Sequence, residues 1–308
     1  MLDDVRGIWV VLGCVVCAGV LLVGCTTAGA GSVGSKGVLE VVAGENFWGN
    51  LAAQLGGDRV HVTSIVSDPN TDPHEYESSP ADARLFATAN YVVLNGAGYD
   101  DWASRLLGAQ PRAGRKVLTV ATLLGKKDGD NPHFWYDPAY VFEVIDHITA
   151  DYKALDAKQS SYFASRYEAV QEDLAPYRQR LVNIQQHFAR TPVAATESIF
   201  QYLAQYLHLD LVTPYPFMKA VAEGNDPPTS SEATFEQQIQ SRAFDVLVYN
   251  VQTVTPLTTS IRQQSGQKNI PVVGVSETIQ PPTATFEVWM DAQLNLLTHA
   301  LQAQARAR

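Results

Sequence analysis

The sequence predicts an α/β protein of two parallel-sheet lobes joined by one long rigid helix, and three observations carry that expectation. Strand-like apolar runs alternate with helical stretches in each half of the chain, which implies parallel sheets covered on both faces. An apolar stripe of helical period runs between the halves. The chain has 308 residues, 46% hydrophobic and 18% charged, which suits two domains of ordinary size better than one compact core.

The stripe consists of Phe163, Tyr167, Val170, Leu174, Tyr177, Leu181, Ile184 and Phe188, alternating four and three residues apart. Around it stand Arg166, Glu168, Gln171, Glu172, Asp173, Arg178, Gln179 and Arg180, so the other faces are solvated. About 30 residues at 1.5 Å each span roughly 45 Å, longer than one small domain needs. Pro176 removes a hydrogen bond and adds a kink, yet the register of the stripe passes through it. The expectation is one helix over 159–190, bent at most, serving as a spine between lobes at 37–158 and 191–308. A coiled-coil partner is the alternative reading, but fewer than five heptads with no second stripe is a weak dimer signal.

In the first half, Val38 to Ala43, His61 to Val66, Tyr91 to Asn95 and Lys116 to Val120 read as strands. Asn46 to Leu55, Ala81 to Ala89, Tyr99 to Leu107 and Pro138 to Lys153 read as helices. After the spine, strands are expected at Pro192 to Thr196, Leu209 to Val212, Phe244 to Asn250 and Ile270 to Val275, with helices between and after them. The runs ending in Asn95 and Asn250 hold the same place in their halves, each closed by Asn before a turn and helix. That suggests two copies of one architecture, similar in topology rather than residue by residue.

From Ile8 to Gly24 the chain is apolar and uncharged, and it ends Leu22-Val23-Gly24-Cys25, which resembles a bacterial lipobox. Residues 1–24 are expected to be a lipoprotein signal peptide, with Cys25 lipidated and the mature protein tethered to the extracytoplasmic face of the cell membrane. An uncleaved anchor helix is the alternative, and Asp3 and Asp4 depart from the positive start that export signals favour. Residues 25–36 are rich in Gly, Ala, Ser and Thr and read as a flexible tether. All three cysteines, Cys14, Cys17 and Cys25, fall at or before the lipobox, so any metal held by the mature domain must be bound through nitrogen and oxygen. The net charge of −10 carries no basic patch, which argues against nucleic acid as a partner.

Ligands of open parallel sheets bind beyond the carboxyl ends of the strands. Four candidates sit there: His74 in Asp72-Pro73-His74-Glu75-Tyr76-Glu77, His133 in Asn131-Pro132-His133-Phe134-Trp135-Tyr136-Asp137-Pro138, Glu197 after the first strand of the second half, and Glu277 after its last. Both histidines follow proline, which stiffens the loop that carries the imidazole. Singly, a loop histidine is most often a surface residue and a strand-end glutamate a solvated neighbour of a helix start. Two imidazoles from one half and two carboxylates from the other, facing one crevice, suit a divalent cation. His61, His147, His187, His208 and His299 lack that placement and read as structural or surface residues. Asp137 or a nearby backbone carbonyl is the expected acceptor for the second ring N–H of His133.

These segments, with Val41 to Gly57, Tyr91 to Gly98 and Thr196-Glu197-Ser198, are similar to the metal-binding lipoproteins of bacterial manganese and zinc ABC transporters, the cluster A-I solute-binding proteins. The resemblance implies two α/β lobes joined by one long helix with a metal cleft between them. It also implies a metal set that falls on His74, His133, Glu197 and Glu277. This chain departs from the family pattern in two ways. Glu277 stands where Asp is usual, and no His-rich loop precedes His133; Glu223, Asp226 and Glu232 are the fallback candidates for the fourth ligand. The function implied is a monomeric receptor, not an enzyme, that captures manganese or zinc and delivers it to a transporter permease. A receptor for a metal chelate or other small molecule, and a metallohydrolase, are the alternatives. No His-Glu-x-x-His helix supports the latter, and four protein ligands leave little room for a catalytic water. Two carboxylates beside two imidazoles lean toward manganese over zinc.

Overall fold

The structure, a computed structural model, describes residues 37–71 and 73–307. The signal segment, the tether and Cys25 lie outside the described residues.

The N-terminal lobe is built from β1 (Leu39–Glu45), α1 (Asn46–Gly56), β2 (Val60–Val66), α2 (Pro80–Thr88), β3 (Tyr91–Leu94), α3 (Asp101–Ala109), β4 (Lys116–Thr119), α4 (Val120–Leu123) and α5 (Pro138–Leu155). Its four strands are parallel in the order β2-β1-β3-β4. Alternation on β3 shows why they are central: Tyr91 and Val93 join the core on the side of α1, α5 and the spine, whereas Val92 and Leu94 pack with Phe86 and Trp102 on the other side. Both faces are covered, so the strands read as continuous apolar runs. Helix α2 starts where Ser79 and Asp82 satisfy each other's backbone N–H groups in a capping box.

The spine is helical from Ser160 to Phe188 but has one break, giving α6 (Ser160–Asp173) and α7 (Ala175–Phe188). The break falls at Leu174, two residues before Pro176, which has no N–H to return to the preceding turn. The register survives it. Phe163, Val170, Leu174, Tyr177, Leu181 and Ile184 are all buried and belong to a single core cluster that includes residues of both lobes. Truncating Leu174 to Ala would therefore cost on the order of 2–5 kcal/mol.

The C-terminal lobe repeats the plan with β5 (Pro192–Ala195), α8 (Gln201–Tyr206), β6 (Asp210–Leu211), α9 (Tyr215–Ala222), α10 (Thr229–Ser241), β7 (Val246–Asn250), α11 (Pro256–Gln267), β8 (Val272–Val275) and α12 (Phe286–Ala307). The strand order, β6-β5-β7-β8, is the same as in the first lobe when strands are matched in chain order. The two-copy reading of topology holds.

The lobes are tied through α1 as well as through the spine. Asn46 Oδ1 accepts from Ile279 N at 3.1 Å, Asn50 Oδ1 accepts from Phe286 N at 2.9 Å, and Gln54 Nε2 donates to Glu287 Oε2 at 3.0 Å. Spacing of four residues puts all three side chains on one face of the helix. Arg180 on α7 pairs with Asp291 on α12, fixing the spine to the second lobe.

Candidate metal site

His74 sits in a short 3-10 turn, Pro73–Glu75, in the connection after β2, and His133 opens another, Phe134–Tyr136, after β4 and α4. Glu197 follows β5 and Glu277 follows β8. All four lie beyond carboxyl ends of strands, as the topology requires. One donor atom each from His74, His133 and Glu277 lie within 4.8 Å of one another, a set that could hold a metal ion.

Glu277 is at the centre. Its side chain is fully buried, and Oε2 lies 3.4 Å from His74 Nε2 and 4.0 Å from His133 Nε2. The Tyr99 hydroxyl donates to the same oxygen at 2.6 Å, and Asn250 Nδ2 donates to Oε1 at 2.6 Å. The two oxygens thus have different duties: Oε1 is held within its own lobe, and Oε2 faces the imidazoles of the other.

The orientation of His133 follows from its neighbours. Asn131 Nδ2 donates to Ser198 O at 2.8 Å and to Gln201 Oε1 at 3.2 Å, which leaves Asn131 Oδ1 as the atom facing His133 Nδ1 at 2.6 Å. An acceptor there requires the proton on Nδ1, so the lone pair is on Nε2. That atom is buried and has no hydrogen-bond partner among the described residues. Burial, reinforced by the nearby His74, holds the His133 pKa well below the ordinary histidine value, so the ring is neutral. A neutral imidazole with an unengaged inward lone pair is a ligand in waiting. The partner anticipated from sequence, Asp137, is instead the N-cap of α5, where it accepts from Ala139 N at 2.9 Å.

Glu197 is equally buried but lies outside the three-residue cluster; its Oε1 accepts from Asn250 Nδ2 at 2.8 Å. One amide nitrogen therefore touches both carboxylates of the second lobe. The fallback acids lie outside the three-residue cluster: half-exposed Glu223 pairs with Lys219 at 3.3 Å on the wall of the cavity beside His74, Asp226 lines a groove with Asn70 and Pro227, and Glu232 lies in the first turn of α10. His61 bonds exposed Glu40, His147 faces Asp151, His187 bonds Asn183 O, His208 sits at a turn and His299 on an exposed face of α12, in keeping with their expected roles.

Several contributors were not singled out as site residues from sequence. Asn95 Oδ1 accepts from Trp48 Nε1 at 3.0 Å while its Nδ2 donates to Pro132 O at 2.9 Å, pinning the residue before His133. Asn250 does the equivalent for Glu277. The matched Asn residues closing the two central strands were the visible signal, and their amides hold the loops of His133 and Glu277. Tyr136 Oη donates to Ser276 O at 2.8 Å, joining the His133 loop to the residue before Glu277. Glu45, closing β1, was also missed. Burial, with Asp100 and Glu277 nearby, pushes its carboxyl well above the ordinary range, and its Oε2 has no hydrogen-bond partner among the described residues. Asp100 is raised by burial to about 6 although it accepts from the backbone N–H groups of Asn95 and Gly96.

A cavity of about 240 Å³ opens beside His74, lined by Tyr99, Asn131, Ser198, Tyr215 and Lys219 among others.

Two α/β lobes on a helical spine, with two imidazoles and a carboxylate meeting between them, define a two-lobed protein with a candidate cation site. The chain belongs to the family described as zinc-uptake complex component A, periplasmic, whose model matches residues 41–300. It is 28% identical over 156 residues to the manganese-binding lipoprotein MntA of Halalkalibacterium halodurans, covering 49% of this chain and 51% of that one. It is 24% identical over 195 residues to the manganese ABC transporter substrate-binding lipoprotein PsaA of Streptococcus pneumoniae, covering 58% and 62%. With the iron ABC transporter substrate-binding lipoprotein MtsA of Streptococcus pyogenes it shares 28% over 162 residues, 48% and 52% of the two chains. The chain thus spans between half and two thirds of the length of these relatives. Among solved structures, FpvC of Pseudomonas aeruginosa in complex with Mn2+ matches with a TM-score of 0.70 at 19% identity, over 86% of this chain and 99% of that one. The Mn-bound periplasmic metal binding protein of Candidatus Liberibacter asiaticus matches with 0.68 at 17%, over 85% and 98%. At these identities the likeness is one of fold.

Proposed function

We propose that this protein is a monomeric, lipid-anchored receptor on the extracytoplasmic face of the membrane that captures a divalent transition metal and hands it to an ABC transporter permease, and that it performs no chemistry. The observation that carries the reading is the inward Nε2 lone pair of buried, neutral His133, facing Oε2 of Glu277 beside Nε2 of His74. Burying carboxylates costs several kcal/mol each unless positive charge compensates them, and a neutral His133 supplies none. A divalent cation between the three groups offsets that cost. In this reading His74, His133 and Glu277 are ligands, and Glu197, held by the same Asn250 amide, supplies a fourth from its second oxygen.

Manganese is the favoured cargo and zinc the second. Oxygen donors equal imidazoles in number, no thiolate is present, and the His-rich loop associated with zinc in the resemblance is missing. By the Irving–Williams order the same site holds zinc more tightly in vitro, so tight zinc binding alone does not decide the matter. A strain lacking the protein is expected to grow poorly when manganese is limiting; a defect confined to zinc limitation would reverse the choice. The cavity beside His74 is smaller than the usual 300–1,000 Å³ of small-molecule pockets, which favours a bare ion over a chelate. The polar ties along α1 and the helical spine favour release by loosening of the ligand loops or a small rocking motion.

Elemental analysis of protein purified without added metal tests the reading. Close to one equivalent of a transition metal per chain is expected. His74→Ala and His133→Ala should each lower affinity well over tenfold, while His187→Ala should not; equal losses from all three would sink the assignment.

A further inference from the structure

Among the side chains that tie the two lobes at the site, Gln252 binds no metal in the reading above and bonds the loops of both Glu277 and His74. Gln252 lies two residues beyond Asn250, in the turn after β7, with its own N–H bonded to Asn250 Oδ1 at 2.9 Å. Its Oε1 accepts from Glu277 N at 2.8 Å and from Thr278 N at 3.0 Å. Its Nε2 donates to Thr278 Oγ1 at 3.0 Å and, across the cleft, to Thr71 O at 2.9 Å. A primary amide has two N–H donors and two acceptor lone pairs, so all four are in use. Three of the bonds hold the backbone and side chain of the Glu277 loop. The fourth reaches the His74 loop, three residues before the histidine.

We propose that Gln252 is a positioning residue that fixes the separation of His74 from Glu277 and thereby sets metal affinity across the cleft. The proposal rests on the metal-site reading above. Geometry explains why this one amide has such reach. His74 is the ligand with the most exposed side chain, 22% against zero for His133 and Glu277. His133 itself is pinned by Asn131 and by Asn95 through Pro132, both residues of its own lobe, although Asn131 also bonds Ser198 O across the cleft. The peptide segment between β2 and His74 instead receives hydrogen bonds from the opposite lobe: Gln252 on Thr71 O, and Gln280 Nε2 on Pro69 O at 3.2 Å. His74 is thus placed by the lobe that carries Glu277. Without the Gln252 bond the loop drifts relative to the carboxylate, and the His74 to Glu277 distance, now 3.4 Å, ceases to be defined. Partners of this kind typically account for 10-fold to 100-fold in metal affinity.

Whatever part of its action runs through His74 is lost once His74 is gone. Manganese affinity is therefore measured for the full chain, Gln252→Met, His74→Ala and the double variant, with thermal midpoints recorded without metal. Gln252→Met preserves length and removes all four bonds. The expected result is at least a tenfold loss for Gln252→Met in the parent, and a further loss at least fivefold smaller when it is added to His74→Ala, where only its hold on the Glu277 loop remains to be lost. Gln252→Glu is the second variant. It keeps the acceptors for Glu277 N and Thr278 N but loses the donor to Thr71 O, so it tests the cross-cleft bond even if the Met variant folds poorly. Its effect should likewise differ between the two backgrounds by at least fivefold, whatever its added charge contributes to both. Losses that are the same in both backgrounds, or no loss in the parent, overturn the proposal. If His74→Ala alone leaves affinity unchanged, it is the metal-site reading that fails, and the two failures are told apart.

Discussion

The Tyr99 hydroxyl donates to Glu277 Oε2 at 2.6 Å, so a phenol from the first lobe and a carboxylate from the second meet at the oxygen that also faces both imidazoles. This bond orients the carboxylate toward the two imidazoles. Tyr99→Phe removes the donor and keeps the ring, which packs edge-on to His74 with centroids 4.8 Å apart. Metal affinity should fall about tenfold, as for other partners that orient a ligand. Titration against a competing chelator measures it; unchanged affinity would show that Asn250 alone suffices to orient Glu277.

Asn131 sets the tautomer of His133 and also bridges to Ser198 O in the second lobe. In Asn131→Ala, the Nδ1 proton loses its acceptor and the ring its fixed rotamer. A drop of 10-fold to 100-fold in affinity is expected. Asn131→Asp keeps the acceptor and should retain more binding than Asn131→Ala; the opposite ranking would contradict the tautomer argument.

Glu45 gives a pH signature. Its carboxyl titrates well above the ordinary glutamate value of about 4.5, because burial and the nearby Asp100 and Glu277 disfavour the anion. The native state then keeps a proton that the unfolded chain releases above about pH 4.5. Stability is fully present below that pH and declines as pH rises toward the folded pKa. Glu45→Gln mimics the protonated form, so it should raise the metal-free thermal midpoint by a few degrees at pH 7–8 and leave it unchanged at pH 4. Asp100, raised to about 6, contributes in the same direction and leaves part of the slope in place. A midpoint lowered at pH 8 would mean that Glu45 is ionised in the fold.

Cys25 is the expected lipid attachment point. Cys25→Ser should abolish incorporation of labelled fatty acid and shift the protein from the membrane fraction to the soluble extracytoplasmic fraction. Retention in the membrane without label would instead favour an uncleaved anchor helix.

The fold was legible because periodicity survives local faults. The stripe from Phe163 to Phe188 announced the spine in spite of Pro176, and only the break at Leu174 shows in the structure rather than in the pattern. Tyr91 to Leu94 read as a buried strand because both faces are covered, which leaves no polar alternation to blur the run. The convergence of His74, His133 and Glu277 was also legible, since strand-end loops after proline or a closing strand face one crevice in this topology. What was hidden depends on side-chain reach. Nothing in the spacing says that Asn131, two residues before His133, would take its ring N–H rather than Asp137, four residues after it. That choice follows from the 3-10 turn at Phe134–Tyr136, which points Asp137 at the start of α5. Gln252 and Tyr99 were hidden for the same reason, because the partners of their side chains lie 25 or more residues away in sequence on other loops.

The central claim is that one divalent ion sits between His74, His133 and Glu277. Anomalous diffraction from crystals of manganese-loaded protein, recorded on both sides of the manganese absorption edge, locates such an ion directly. The expected result is one strong peak within bonding distance, about 2.0–2.3 Å, of His74 Nε2, His133 Nε2 and Glu277 Oε2. A peak at another cluster, or full occupancy of metal in solution with no peak between these three side chains, would contradict the account.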